Sequence, residues 1–151
     1  VFSESLRFNI LMGLVEDEDK SIEEFWSWVK QELPYLSGWG IELDDQINVG
    51  LISAGQKQLI SALRACYLHK SLVFFDEISS ALDSELEESL RKLVLIIQRQ
   101  SLTFIVAHRV ETIIGASKIL VMKAGKVEAL GSHTKLLESS DYYRTFISKL
   151  S

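Results

Sequence analysis

Between Leu72 and Ala107 the chain runs from an apolar stretch through an amphipathic helix to a second apolar stretch, and this order constrains the fold more than any other feature. Leu72-Val73-Phe74-Phe75 is continuously apolar and ends in Asp76-Glu77, the pattern of a strand buried on both faces. Ser84 and Glu87 stand at capping-box spacing and open a helix in which Leu86, Leu90, Leu93, Val94 and Ile97 share one face. Thr103-Phe104-Ile105-Val106-Ala107 forms the second strand and delivers His108 at its C-terminal end. Strand, helix and strand in this order predict a right-handed crossover and parallel pairing. Asp76, Glu77 and His108 then open onto one crevice at the strand ends, which makes the class α/β.

On the N-terminal side, an acidic run from Glu16 to Asp19 precedes a predicted helix. Ser21 and Glu24 have capping-box spacing there, Ile22, Phe25, Trp26, Val29 and Leu33 recur at helical intervals, and Pro34 stops the pattern. Residues 35–50 hold Gly38, Gly40, Asp44, Asp45 and Asn48 without a period and read as a loop-rich connection ending at a boundary near Gly50. Ser53 to Tyr67 is a second helix, with Leu59, Ile60, Leu63, Cys66 and Tyr67 facing inward. Beyond the second strand, Ile119–Lys123 and Lys126–Leu130 flank Ala124-Gly125 as a hairpin, and residues 132–150 form a helical tail.

The size of 151 residues and the 47% hydrophobic content allow a real core. A formal charge of -5, from 16 Lys+Arg against 21 Asp+Glu, excludes a broad nucleic-acid surface. No apolar stretch approaches the roughly 20 residues of a spanning helix. Cys66 is the single cysteine, which excludes an internal disulfide and fits a reducing compartment. The opening VFSESLRFNI lacks the layout of a signal peptide and does not begin with Met, so the chain reads as a piece of something longer.

Three short stretches carry chemistry. Asp76 at a strand tip is a hard oxygen donor suited to Mg2+, and adjacent Glu77 can polarise a water as a general base. Ile52-Ser53-Ala54-Gly55-Gln56 puts a hydroxyl and backbone N–H groups at the positive end of a helix, a recipe for a phosphate site. His108 can hold a phosphate and an attacking water in line. Each has an ordinary alternative: a capped strand end, a serine N-cap, a surface histidine. Phe25, Trp26, Trp28 and Trp39 read as packing, with Trp28 and Trp39 candidates to face a partner, and His69 and His133 lack metal-ligand spacing.

Order and spacing join these signals. Residues 52–56 resemble the LSGGQ signature of ABC transporter nucleotide-binding domains, and GQKQLISALRA resembles the helix that follows it. LVFFDE resembles the Walker B strand with its carboxylate, Ser80-Ala81-Leu82-Asp83 is similar to the D-loop, and His108 in IVAHRV matches the switch histidine. GKVEALGSHTKLL looks like the family's closing strand and helix, and FSESLRFNI resembles the exporter segment that faces the coupling helices of the membrane domain. The resemblance implies a P-loop NTPase-like fold. Its helical signature subdomain is expected over about residues 1–66, and part of a parallel-sheet RecA-like core with a C-terminal helical tail over about 67–151.

The same resemblance implies ATP and Mg2+ as cofactors. Asp76 is the expected metal residue, Glu77 and His108 the catalytic ones, and Ser53, Ala54, Gly55, Gln56 and Asp83 the nucleotide contacts. It implies a second nucleotide-binding domain paired head to tail, so that the signature serves the partner's ATP, and an ABC transmembrane domain as the sole route of membrane contact. The location it implies is the cytoplasmic face of the membrane. No G-x-x-x-x-G-K-[ST] occurs in the sequence, so this stretch by itself is expected to be inactive. The competing expectation is a non-catalytic split or decayed domain that supplies only the signature face.

Overall fold

A computed structural model describes residues 1–14, 21–76, 83–107 and 109–150. Two compact units emerge, residues 1–105 and 106–151. The first contains helices α1 (Leu6–Leu11), α2 (Ile22–Glu32), α3 (Pro34–Trp39), α4 (Ala54–Tyr67) and α5 (Ser84–Gln98), with strand β1 (Leu72–Asp76) and most of β2 (Leu102–Val106). The second contains α6 (Val110–Ile114), strands β3 (Ile119–Lys123) and β4 (Lys126–Gly131), and helices α7 (His133–Ser139) and α8 (Asp141–Leu150).

The core of the first unit forms where apolar faces of α4, α5 and α1 meet. Leu59, Ile60 and Leu63 of α4 are fully buried, as are Leu6 and Ile10 of α1, and Leu86, Leu90, Leu93 and Ile97 of α5 are nearly so. Burial of each such side chain contributes about 1.5–3 kcal/mol. Cys66 is a buried thiol in the same cluster.

Polar residues fix α1 within this unit. Ser5 Oγ caps it by accepting from Phe8 N at 3.1 Å. The fully buried Asn9 amide donates to the carbonyls of Phe2, Glu4 and Ser5 and accepts from Phe2 N at 2.7 Å. Arg7 then reaches Glu23 at 2.6 Å and Asp44 at 2.9 Å, tying α1 to the start of α2 and to the segment before α4. A second polar knot lies on α2, where Glu42 accepts from Trp26 Nε1 and from Lys30 Nζ, each at 2.9 Å.

Pro34 acts differently from the sequence reading. α2 ends at Glu32, and Pro34 opens a new helix, α3, where a loop was expected. A proline at N1 gives up no helical hydrogen bond and arrives with a helical φ, so it starts helices as readily as it stops them. The N-cap of α5 is likewise Asp83 rather than Ser84: Asp83 Oδ1 accepts from Leu86 N at 2.9 Å.

β1 and β2 pair in a two-stranded sheet. Leu102 N donates to Ser71 O at 2.9 Å and Ser101 Oγ to Lys70 O at 2.6 Å, so both strands are entered from the same end and run parallel, as expected. Burial on both faces is corrected. Val73 is buried, yet Leu72, Phe74, Leu102, Phe104 and Val106 are exposed, and the Phe74 and Phe104 rings stack at 5.1 Å. Continuous apolarity fits a strand covered on both sides, but nothing among the described residues covers this face.

In the second unit β3 and β4 form the expected antiparallel hairpin, with an irregularity between Val121 and Met122. The helical tail is two helices, divided at Ser140. Tyr143 is buried there with Ile113, Val121 and Leu136, and its hydroxyl meets His133 Nδ1 at 2.8 Å. His133 is therefore structural.

Candidate functional site

The turn that opens α4 carries the best-defined candidate residues. Ser53 is extended, with φ -67° and ψ 163°, and its Oγ accepts from Gln56 N at 3.1 Å. Gln56 Oε1 accepts in return from Ser53 N at 2.8 Å, completing a capping box. Serine and glutamine three positions apart are what this box requires, so the local sequence dictates the local shape. Ser53 and Ala54 are exposed, Gly55 is buried and Gln56 is half-buried.

This geometry defines what the turn can do. The Ser53 oxygen is engaged as an acceptor, and its hydroxyl proton remains available to a phosphoryl oxygen. The N–H groups of a first helical turn lack intrahelical partners, and the helix dipole adds partial positive charge at that end. α4 is 14 residues long, enough for this charge to develop. A hydroxyl and partial positive charge at one helix end suit an anionic group.

Gln56 is arranged differently from the exposed Ser53 and Ala54. Its Nε2 donates to Tyr35 Oη at 3.0 Å, so both ends of its amide are engaged inside the chain. Tyr35 carries no sequence signal for this role, standing after a proline in a stretch without a period.

Asp76 ends β1 with an exposed carboxylate. Asp83 is exposed as well, with one carboxylate oxygen committed to its helix cap. Glu77, His108, the D-loop residues Ser80 to Leu82 and the acidic run Glu16 to Asp19 lie outside the described residues. Among the described residues no cluster of His, Cys, Asp and Glu forms a ready metal cage, and no helix is long and apolar enough to cross a membrane.

No protein-family model matches the chain. It is similar to a putative export ATP-binding/permease protein of Rickettsia bellii, at 32% identity over 99% of this chain and 26% of that protein. It is also 34% identical to the ABC transporter ATP-binding protein YknU of Bacillus subtilis, over 95% of this chain and 25% of the relative. An ATP-dependent lipid A-core flippase of Francisella novicida matches at 32%, over 99% and 26%. The chain thus spans about a quarter of the length of these relatives. The similarity extends over nearly the whole chain, and the chain belongs to the nucleotide-binding domains of ABC transporters.

Proposed function

We propose that this chain is part of an ATP-driven motor of an exporter, in which nucleotide-dependent pairing of two such domains and hydrolysis drive transport across a membrane. The observation that carries the reading is the Ser53–Gln56 capping box, which presents a serine hydroxyl and the positive end of α4 outward from a rigid helix. The exporter assignment is supported by the export and flippase names of relatives that match nearly the whole chain. The helical part over about residues 1–66 and the core part over about 67–151 remain the division we propose.

Within this reading Ser53, Ala54 and Gly55 meet the phosphates of a nucleotide held by a second nucleotide-binding domain. Ser53 donates its hydroxyl proton, and the first-turn amides add their dipoles. Asp76 would hold Mg2+ through its exposed carboxylate, and the cation would supply positive charge for the phosphoryl oxygens. Glu77 accepts a proton from the attacking water, and His108 holds that water in line. Asp83 contributes at the seam between domains with the carboxylate oxygen not used by its cap. A transmembrane domain supplies the membrane contact, which places the motor at the cytoplasmic face.

The test is steady-state ATP hydrolysis by the full-length protein with and without Glu77→Gln. Loss of turnover with retained ATP binding is the expected result. Undiminished hydrolysis removes Glu77 from the mechanism. A wild type that binds ATP without turnover favours a domain that supplies only its signature face.

A further inference from the structure

We infer that Tyr35 is a positioning residue for the signature turn, acting through Gln56. The inference rests on the reading that this turn meets a nucleotide, and it adds the residue that sets the turn's geometry.

Three hydrogen bonds meet at Gln56, two of them closing a ring with Ser53. Ser53 Oγ takes Gln56 N at 3.1 Å, Gln56 Oε1 takes Ser53 N at 2.8 Å, and Gln56 Nε2 gives to Tyr35 Oη at 3.0 Å. The backbone N–H of Ser53 can only donate, so the amide oxygen of Gln56 must face it and the amide nitrogen must face Tyr35. The orientation of Gln56 is thereby fixed, and with it the extended backbone of Ser53. A glutamine held in this way is turned into the protein, so it shapes the turn while Ser53 remains exposed.

Tyr35 is an effective anchor because its own element is fixed independently of α4. Pro34 sets the first turn of α3, and Leu36 is fully buried. Ser37 Oγ donates to Lys30 O at 3.0 Å, tying α3 to α2. The Tyr35 ring also packs against Trp39 at 6.1 Å. A side chain 21 residues away thus connects the orientation of α3 to that of the exposed serine. Without the phenol oxygen, the Gln56 amide loses one of its two fixed points and the Ser53 N–H loses a steady acceptor.

The experiment uses full-length protein and compares wild type, Tyr35→Phe, Gln56→Leu and the double variant. Phenylalanine keeps the ring contact with Trp39 and removes only the hydroxyl. Amide hydrogen exchange across residues 52–57, without nucleotide, is expected to quicken roughly two- to tenfold in Tyr35→Phe, the worth of one modest hydrogen bond. ATP turnover is expected to show a kcat lowered by a similar factor with a smaller change in KM, and this effect should vanish when Gln56 is already Leu. Unchanged exchange in Tyr35→Phe overturns the anchor whatever the turnover. Quickened exchange with unchanged turnover overturns the positioning role, as does a full Tyr35→Phe effect on turnover in the Gln56→Leu background. A wild type without turnover overturns the ATPase reading instead, and the exchange comparison still decides whether Tyr35 holds Gln56.

Discussion

Arg64 Nε donates to the main-chain carbonyl of Asn9 at 2.7 Å, joining α4 to α1 across 55 residues of sequence. Burial lowers the pKa of the guanidinium from its usual value, and its Nη2 is enclosed without a hydrogen-bond partner among the described residues. The bond to Asn9 therefore matters. Replacing Arg64 with Met keeps much of the stem packing and removes the charge-assisted bond, and the expected loss is about 1.5–3 kcal/mol of stability, read from urea unfolding. Arg64→Lys should recover only part of that loss, because a compact ammonium does not reproduce the planar fork.

Asp83 combines a structural duty with a proposed functional one, and two substitutions separate them. Asp83→Ala removes the acceptor for Leu86 N and should cost about 0.5–2 kcal/mol. Asp83→Asn keeps an oxygen acceptor at the cap and removes the charge, so the unfolding midpoint should stay nearly unchanged. A fall in ATP turnover in Asp83→Asn with that midpoint preserved assigns the charge a role at the domain seam.

Acid should loosen the knot on α2. The Glu42 carboxyl titrates below its ordinary value of 4.5 because Lys30 and then Trp26 donate hydrogen bonds to it. A depressed folded value means that the stabilisation is fully present above the unfolded pKa and is lost as pH falls through the folded one. Glu23, held down by Arg7, behaves in the same sense. Glu42→Gln should therefore be less stable than wild type at pH 7, and the gap should narrow as pH falls below 4.5 and through the lowered folded value, as followed by calorimetry. A gap that persists at pH 2 assigns the effect to packing.

The hairpin in the second unit offers a stabilising change. Ala124 and Gly125 both have positive φ, 49° and 75°, a pairing that matches the right-handed twist of adjoining strands in a two-residue turn. Alanine is poorly suited to this region and asparagine is well suited, so Ala124→Asn should raise stability by roughly 0.5–1 kcal/mol. Gly125→Ala should lower it by about 1 kcal/mol. An added methyl at Gly125 meets nothing within 4 Å, so that cost is conformational alone. Thermal unfolding measures both.

Much of this fold was legible in the sequence. Ser53 as a serine N-cap, and Leu59, Ile60 and Leu63 at helical spacing, define α4 through local rules, and the structure follows them. The parallel pairing of β1 with β2 follows from strand, helix and strand in succession. What was missed involves either ambiguous residues or distant partners. Pro34 both follows one helix and opens the next, and Asp83 and Ser84 are adjacent residues that can each serve as caps. The exposure of Phe74 depends on what lies across the sheet face, which an apolar run cannot specify. The bond from Gln56 to Tyr35 has no period, because it is made by tertiary packing.

The knot formed by Glu42 has an optical consequence. Trp26 is almost wholly buried, its indole N–H points at an ionisable carboxylate, and the Lys30 ammonium lies 5.7 Å from its ring. Trp28 is far more exposed. Charges so near an indole shift its emission, so Trp26 is a native fluorophore whose colour and quenching report whether α2 still holds the segment leading to the signature turn.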